Sequence, residues 1–539
     1  MTSTINIFTN SVLLETFKKY LNLIQYDRWK LNFLMSCKEM YSLIDEITFF
    51  NFPLKYLIGK LKSNIVLIKN KKNPQGPSVE YYFEKAIKIP KLFSYIRFED
   101  DIELKLFYYI KPLIGELAID TADLPNYMYE TLMPGCLPDN LKYINMGTNY
   151  DKDLEPNTFP DSIEAILFSM YFNKELKHLP KNLKQIQFGH NYDHFIPIGI
   201  IPEGTKLIKF GHKYNQALLP GVFPNSVEFI IFGNDYNMSL YKGTLPNNLV
   251  HLSMGTLFNI KIEPGVLPPS LRHLQLSCNY NEPFIEGTLP EGLLTLEFGD
   301  KFNQTIPLGV LPQSLEKIIF GDEFNNVIEY GAIPDSVHTL VYGSMFNQPI
   351  EPGFLPTQLK VLDLGEKFNQ PLKIGSIPMG LPTLQLGPSY TYPLTKGVIP
   401  TSVLKLVIVG DLIINQLEDG VIPTSVQEIE FKQFNTRLRT KIPSSVKSLR
   451  MGNTFNQVIQ PGIIPDSVET IIFGDAYNSP LLPGTLPKKL KYIKFGSSFL
   501  QLISDKLIPA SVETLILNSS KIIGFVPKTI KNLEFDQGY

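Results

Sequence analysis

One proline recurs nineteen times along this chain, from Pro138, Pro160, Pro180 and Pro202 through to Pro509 and Pro527, and the step is 22 residues nearly throughout. A fixed period of this length marks a solenoid, in which each unit is one coil that cannot bury its apolar face alone and must stack on its neighbours. At 539 residues the chain also exceeds the size at which a single core keeps growing. The repeat therefore decides the architecture, and the functional question becomes what the stacked surface holds.

The unit beginning at Pro334 shows how a coil is built. Apolar residues follow the proline at Val337, Leu340 and Tyr342, then a glycine at Gly343 and an aromatic–asparagine pair at Phe346-Asn347; the next unit repeats these as Leu359, Leu362, Leu364, Gly365, Phe368 and Asn369. Leu340 and Tyr342 alternate with their neighbours at the period of a strand with one buried face, flanked by Gly and Pro breakers. Each coil thus contributes one short strand, and strands one coil apart run the same way and stack into a long parallel sheet. Later glycines such as Gly353 and Gly462 and the following Leu-Pro or Ile-Pro form the corners. Twelve aromatic–Asn pairs, Tyr214-Asn215 and Tyr477-Asn478 among them, stand in register, which predicts a ladder of side-chain amides satisfying turn backbone groups beside stacked rings. The spacing shortens to 20 at Pro180 and Pro443, the asparagine is missing at Tyr390-Thr391 and Phe499-Leu500, and Val409 lengthens a strand by one residue.

Composition narrows the functional classes. Fifty Lys and Arg against 52 Asp and Glu give a formal charge of −2, which argues against a nucleic-acid or membrane-surface partner. Cys37, Cys136 and Cys278 are far apart, so neither a disulfide framework nor a zinc site is expected, and the chain reads as intracellular, most simply cytoplasmic. Neither a signal peptide nor an apolar run long enough to span a membrane is present. The sequence holds no GxSxG, HExxH or P-loop, so no catalytic, cofactor-binding or metal residues are assigned and no enzyme is expected. His190, His194 and His212 could approach one another, but no motif supplies a further ligand.

The pattern in FNQPIEPGFLP (346–356) and FNQPLKIGSIP (368–378) resembles the FNIP repeat, a relative of the leucine-rich repeat, over roughly residues 138 to 535. Residues 5–50 depart from the period and carry apolar residues at helical spacing. They read either as a helical cap on the solenoid or, by Val12, Leu13 and Phe17, then Leu21, Leu31, Leu34, Cys37 and Leu43, as a segment that resembles an F-box. The family's opening Leu-Pro is absent and Trp29 sits earlier than its usual tryptophan. That resemblance implies docking on a Skp-type adaptor and cullin of an SCF ubiquitin ligase, with the solenoid capturing an unknown protein substrate; the alternative is a scaffold whose N-terminal helices only cap.

The expected fold class is therefore α+β: an N-terminal helical domain over 5–50, a connecting or capping segment over 51–112, and a leucine-rich-repeat-like solenoid of about 19 coils over 113–539. Within the connecting segment, 69–77 reads as an exposed basic loop and 87–100 as a stretch packed beneath the first coil. Outward strand positions differ in chemistry from coil to coil, which suits recognition of a protein partner. The candidate surface is Phe229, Ile231, His251, Lys317, Ile319, Val341, Val361, Asp363, Glu428, Glu430 and Tyr492.

Overall fold

The computed structural model describes residues 93–101, 103–104, 107–108, 111, 119–410, 420–439, 441–504, 506–518 and 529–535, with three short upstream strands, Phe49–Asn51, Ile65–Ile68 and Glu80–Phe83. Two compact units divide the chain, 1–256 and 257–539. The helical domain expected over 5–50, with all eight of its docking residues from Val12 to Leu43, lies outside the described residues except at its last positions, where Phe49–Asn51 is a strand. Among the described residues helical backbone occurs only between Asp101 and Lys111, so the architecture in view is a β-solenoid.

In the first unit, Phe49–Asn51 pairs in parallel with Phe93–Arg97, which pairs in turn with Thr121–Asp123. From there strands of three residues follow in chain order: Tyr143–Asn145, Ala165–Leu167, Gln185–Gln187, Leu207–Lys209, Phe229–Ile231 and His251–Ser253. The segment expected to pack beneath the first coil therefore joins the sheet itself through Phe93–Arg97. Ile65–Ile68 and Glu80–Phe83 pair antiparallel, flanking the basic segment on either side. In the second unit, parallel pairing runs from His273–Gln275 to Val361–Asp363, and a further eight-stranded sheet runs from Thr383–Leu386 to Asn532–Phe535.

The break between those two sheets has a chemical cause. In an ordinary coil the residue before the strand donates its N–H to the preceding coil, as Lys360 does to the His338 carbonyl at 2.8 Å. At the break that position is Pro382, which has no N–H to give, although its carbonyl still accepts from Leu404 at 2.8 Å.

The coil from Pro334 bends at three turns closed by short backbone bonds, Val337 to Pro334, Phe346 to Gly343 and Phe354 to Glu351. In the described three-residue strands from Thr121–Asp123 to Tyr492–Lys494 the middle residue is buried, and Leu340, Leu296 and Ile318 wholly so. Tyr342 is buried as well but lies one residue past its three-residue strand, Thr339–Val341. The strand that ends at Val409 is lengthened as the sequence predicts, five residues from Lys405 to Val409.

Two columns of rings fill the core. Phe302, Phe324, Phe346 and Phe368 repeat at 6.1 Å with nearly parallel planes, and Phe320 and Tyr342 stack at 5.3 Å in the column beside them. Such pairs contribute about 0.5–1.5 kcal/mol each beyond their area burial, so the coil-to-coil joint is held by rings as much as by strand pairing.

Candidate functional site

Since every coil spends its inward positions on the core, recognition falls to what the strands and turns turn outward. The first and third residues of each strand do so. In the first unit they form two columns, Tyr143, Ala165, Gln185, Leu207, Phe229 and His251 in one, and Asn145, Leu167, Gln187, Lys209, Ile231 and Ser253 in the other, each residue opposite its successor in the parallel register. Tyr143 is 46 %, Leu167 36 % and Phe229 38 % exposed. The Phe229 ring stacks on the His251 imidazole at 6.0 Å. The face is thus a run of apolar and aromatic groups set among amides, with Lys209 the one charged side chain between Tyr143 and Ser253. Of the residues singled out from sequence, Phe229, Ile231 and His251 lie together here; Tyr143, Leu167 and Leu207 belong with them and were legible by the same strand register.

The second unit's outward face is different in kind. Lys317 is ion-paired with Glu297 at 2.9 Å, and Glu428 and Glu430 both hold the Lys405 ammonium, at 2.8 and 2.9 Å. Partial burial opposes ionisation of Glu430, yet Lys405 beside it holds the carboxyl below its ordinary range. Asp363 accepts the Gly365 N–H at 3.0 Å. Ile319 and Val341 are register partners, Val361 lies opposite Thr339 and is 49 % exposed, and Tyr492 stands six coils beyond Val361 and is half-buried. Much of the polar chemistry predicted as a partner surface here is engaged within the sheet.

The asparagine ladder has a defined geometry. The N–H of Asn347 donates to Oδ1 of Asn325 at 2.8 Å, and Oδ1 of Asn347 accepts the N–H of Asn369 at 2.8 Å. The glutamine that follows reinforces it, Gln348 Nε2 donating to the Asn325 carbonyl at 2.9 Å and to its Oδ1 at 3.1 Å. In the first unit Asp151 and Asp193 take asparagine's place, accepting from Asn173 and Asn215 at 2.9 Å each. Any side-chain oxygen at this distance from the backbone serves, which an aromatic–Asn pattern alone does not reveal. A second ladder went unread in the sequence: the serine two residues after the proline donates to the preceding coil, Ser336 Oγ to the Leu315 carbonyl at 2.6 Å.

The rings of His190 and His212 lie 4.5 Å apart, but His194 Nε2 is spent on the Asn173 carbonyl at 3.1 Å. Among the described residues no group of three His, Cys, Asp or Glu is placed to hold a metal ion. Cys136 is buried, which pushes its thiol up to about 11, and the exposed Cys278 thiol is also raised, by partial desolvation and by Asp300. Neither is an activated nucleophile. No described helix is long and apolar enough to cross a membrane.

These features have known counterparts. The crystal structure of CroV588, described as a novel circular leucine-rich-repeat protein, is 26 % identical over 84 % of this chain and 74 % of its own, with a TM-score of 0.68. YopM from Yersinia enterocolitica is 17 % identical over 78 % of this chain and 86 % of its own, with a TM-score of 0.39. No curated protein matches. The fold is a leucine-rich-repeat-like solenoid of parallel strands, a type of repeat surface that serves protein–protein interaction and is usually non-catalytic. The FNIP Repeat model matches twelve times, from 130–171 through 368–411 and from 415–453 through 477–520. With most of its length so matched, the coil signature of ring, asparagine and corner glycine has a name, and the chain belongs to the FNIP repeat family.

Proposed function

We propose that this protein recognises another protein through the outward strand face of its first unit. The observation that carries the reading is the contrast between faces: in the first unit Tyr143, Leu167 and Phe229 stand exposed among amides, whereas in the second the charged groups are paired with one another across strands. Exposed aromatic and aliphatic groups on one strand face are what an interface core is made of, since their burial drives association and they carry few desolvation penalties. From Tyr143 to Phe229 the column crosses four strand steps, roughly 19 Å at the usual spacing, room for several anchors.

The finer reading joins this surface to the N-terminal segment, whose Val12, Leu13, Phe17 and Leu21 resemble an F-box. On that reading a Skp-type adaptor and cullin dock on the N-terminus while the solenoid face holds a substrate for ubiquitination, and the catalysis belongs to the partners. Two experiments separate the claims. Proteins captured by the full chain are compared with those captured by Leu167→Asp/Phe229→Asp; the expected result is a set of partners lost without loss of folding, and identical capture by both chains rejects the face. Purified adaptor is then tested for co-elution with the full chain and with Val12→Glu/Leu13→Glu. Binding to the first and not the second supports the ligase reading, and no binding to either leaves a scaffold whose face alone is functional.

A further inference from the structure

One turn of the first unit gathers soft metal donors that its strand face does not use. Met170, His190 and His212 each follow the residue that opens the turn after the strand, Ser169, Gly189 and Gly211 in successive coils. The coils are pressed together there. A Cβ on Gly189 would lie 1.8 Å from the Ser169 carbonyl oxygen, and one on Gly211 1.7 Å from that of Gly189. The Asn191 N–H donates to the Met170 carbonyl at 3.0 Å, and the Lys213 N–H to the His190 carbonyl at 2.9 Å. The three side chains therefore leave backbones held at hydrogen-bonding distance, in one column. Side chains of this column meet from coil to coil: near its start Thr148 Oγ1 donates to Asn126 Oδ1 at 3.1 Å, and further along the rings of His190 and His212 lie 4.5 Å apart with their planes at 39°.

That ring spacing suits one shared ion. A metal bonded to a ring nitrogen at about 2.0 Å stands about 3.1 Å from the ring centre, so rings with centres 4.5 Å apart can face one ion at an angle of about 90°. His190 is half-buried and His212 exposed, which leaves the pair open to solvent. Met170 is 45 % exposed, and its unbranched side chain adapts to the place a third ligand needs. The acids Asp193 and Asp235, on these coils and the next, are engaged elsewhere: Asp193 accepts the Asn215 N–H at 2.9 Å and Gln216 Nε2 at 3.0 Å, and Asp235 pairs with Lys213 at 3.6 Å. The available donors are thus two imidazoles and a thioether, without an anion. Imidazole accepts several first-row ions, whereas a thioether selects copper(I).

We propose that Met170, His190 and His212 bind one copper(I) ion, three-coordinate, on the turn beside the strand face. His194 has no part in it, since its Nε2 donates to the Asn173 carbonyl at 3.1 Å. Zinc(II), which takes four ligands in closed sites, gains only the two histidines here.

The test presents copper(I), kept reduced by ascorbate under nitrogen, to the full chain as its coloured bicinchoninate complex, and follows loss of colour. The native chain is expected to withdraw one equivalent more than a chain carrying His190→Asn and His212→Asn. Cys37, Cys136 and Cys278 are present in both chains, so copper held by thiols cancels. Even the outer partners of a metal ligand are worth about 10–100-fold in affinity, so Met170→Thr is expected to weaken copper(I) binding by at least about tenfold. Zinc(II) affinity should be the same with Met170→Thr as without it. Asparagine and threonine stand at this place in other coils, as Asn234 and Thr148, so both variants keep residues the fold already carries. X-ray absorption at the copper edge should show a sulfur neighbour at about 2.3 Å that Met170→Thr removes. Equal copper uptake by the native and the double-histidine chains overturns the proposal. Copper(I) affinity indifferent to Met170→Thr, or a sulfur neighbour that survives it, also overturns it, assigning the ion to a cysteine. Neither result bears on the outward strand face of the first unit.

Discussion

At the scale of single residues the repeat's invariance has three separate physical causes, and each can be tested at one position. Asn347 is a relay, donating its N–H to the preceding coil and accepting the next coil's N–H through its side chain. Asn347→Ala is expected to destabilise by about 1–3 kcal/mol, the cost of leaving a partly buried donor unmet. Asn347→Asp, which keeps the acceptor as Asp193 does in its own coil, should cost clearly less; equal losses in urea denaturation would show that the acceptor is not what matters. The two glycines of a coil differ more sharply. A Cβ on Gly343 would sit 1.8 Å from the carbonyl oxygen of Gly321, so coils can approach this closely only with no side chain there. Gly309 has open space around it and instead needs its φ of 84°. Gly343→Ala is expected to cost more than about 4 kcal/mol, or prevent folding, in the class of severe backbone and packing faults, and Gly309→Ala only about 1–2 kcal/mol for the left-handed backbone. Thermal melts of the two variants decide it.

At the scale of the strand, the period of two was legible because inward and outward positions differ in residue type. Leu362 is 4 % exposed and Val361 49 %. Leu362→Asp should cost several kcal/mol by burying an unpaired charge, whereas Val361→Asp should shift the melting temperature little; similar shifts would reject the register. What the sequence hid were features whose chemistry is interchangeable or whose partner is 20 to 23 residues away: the serine bond to the preceding coil, Asp193 within an asparagine ladder, and the sheet break at Pro382. The outward face was half legible. Register identified which residues point out, but whether Lys317, Glu428 and Glu430 stand free or pair within the sheet depends on neighbours one coil away. Upstream the sequence has no period, and Phe93–Arg97 reads as a packed segment rather than a strand because its partner lies at Thr121–Asp123.

At the scale of the whole molecule, the ring columns set how the protein meets alkali. Burial pushes the Tyr150 phenol up to about 12 and raises those of Tyr192, Tyr214 and Tyr477 further above the ordinary value near 10. A group raised in the folded state contributes its full stability below its unfolded value, and that contribution is lost as pH rises beyond it. Stability is therefore expected to hold up to about pH 10 and then to fall between about 10 and 12, by roughly 1.4 kcal/mol per pH unit for each buried phenol. Tyrosinate absorbance should emerge together with loss of the far-ultraviolet circular dichroism signal. Ionisation of these phenols near pH 10 with the fold intact would mean that the columns are open to water.

The coil between Pro160 and Pro180 carries a last consequence. It is two residues short, yet its strand keeps register, Ala165 opposite Gln185, and its ladder holds, the Asp193 N–H donating to Asn173 Oδ1 at 3.0 Å. The shortening falls wholly between Asn173 and Pro180, where most other coils run on to a corner glycine. That stretch behaves as a hinge of length: everything the neighbours read lies before it or after it. It is the place where a foreign loop can be spliced into one coil while the strands on either side continue to meet as if nothing had changed.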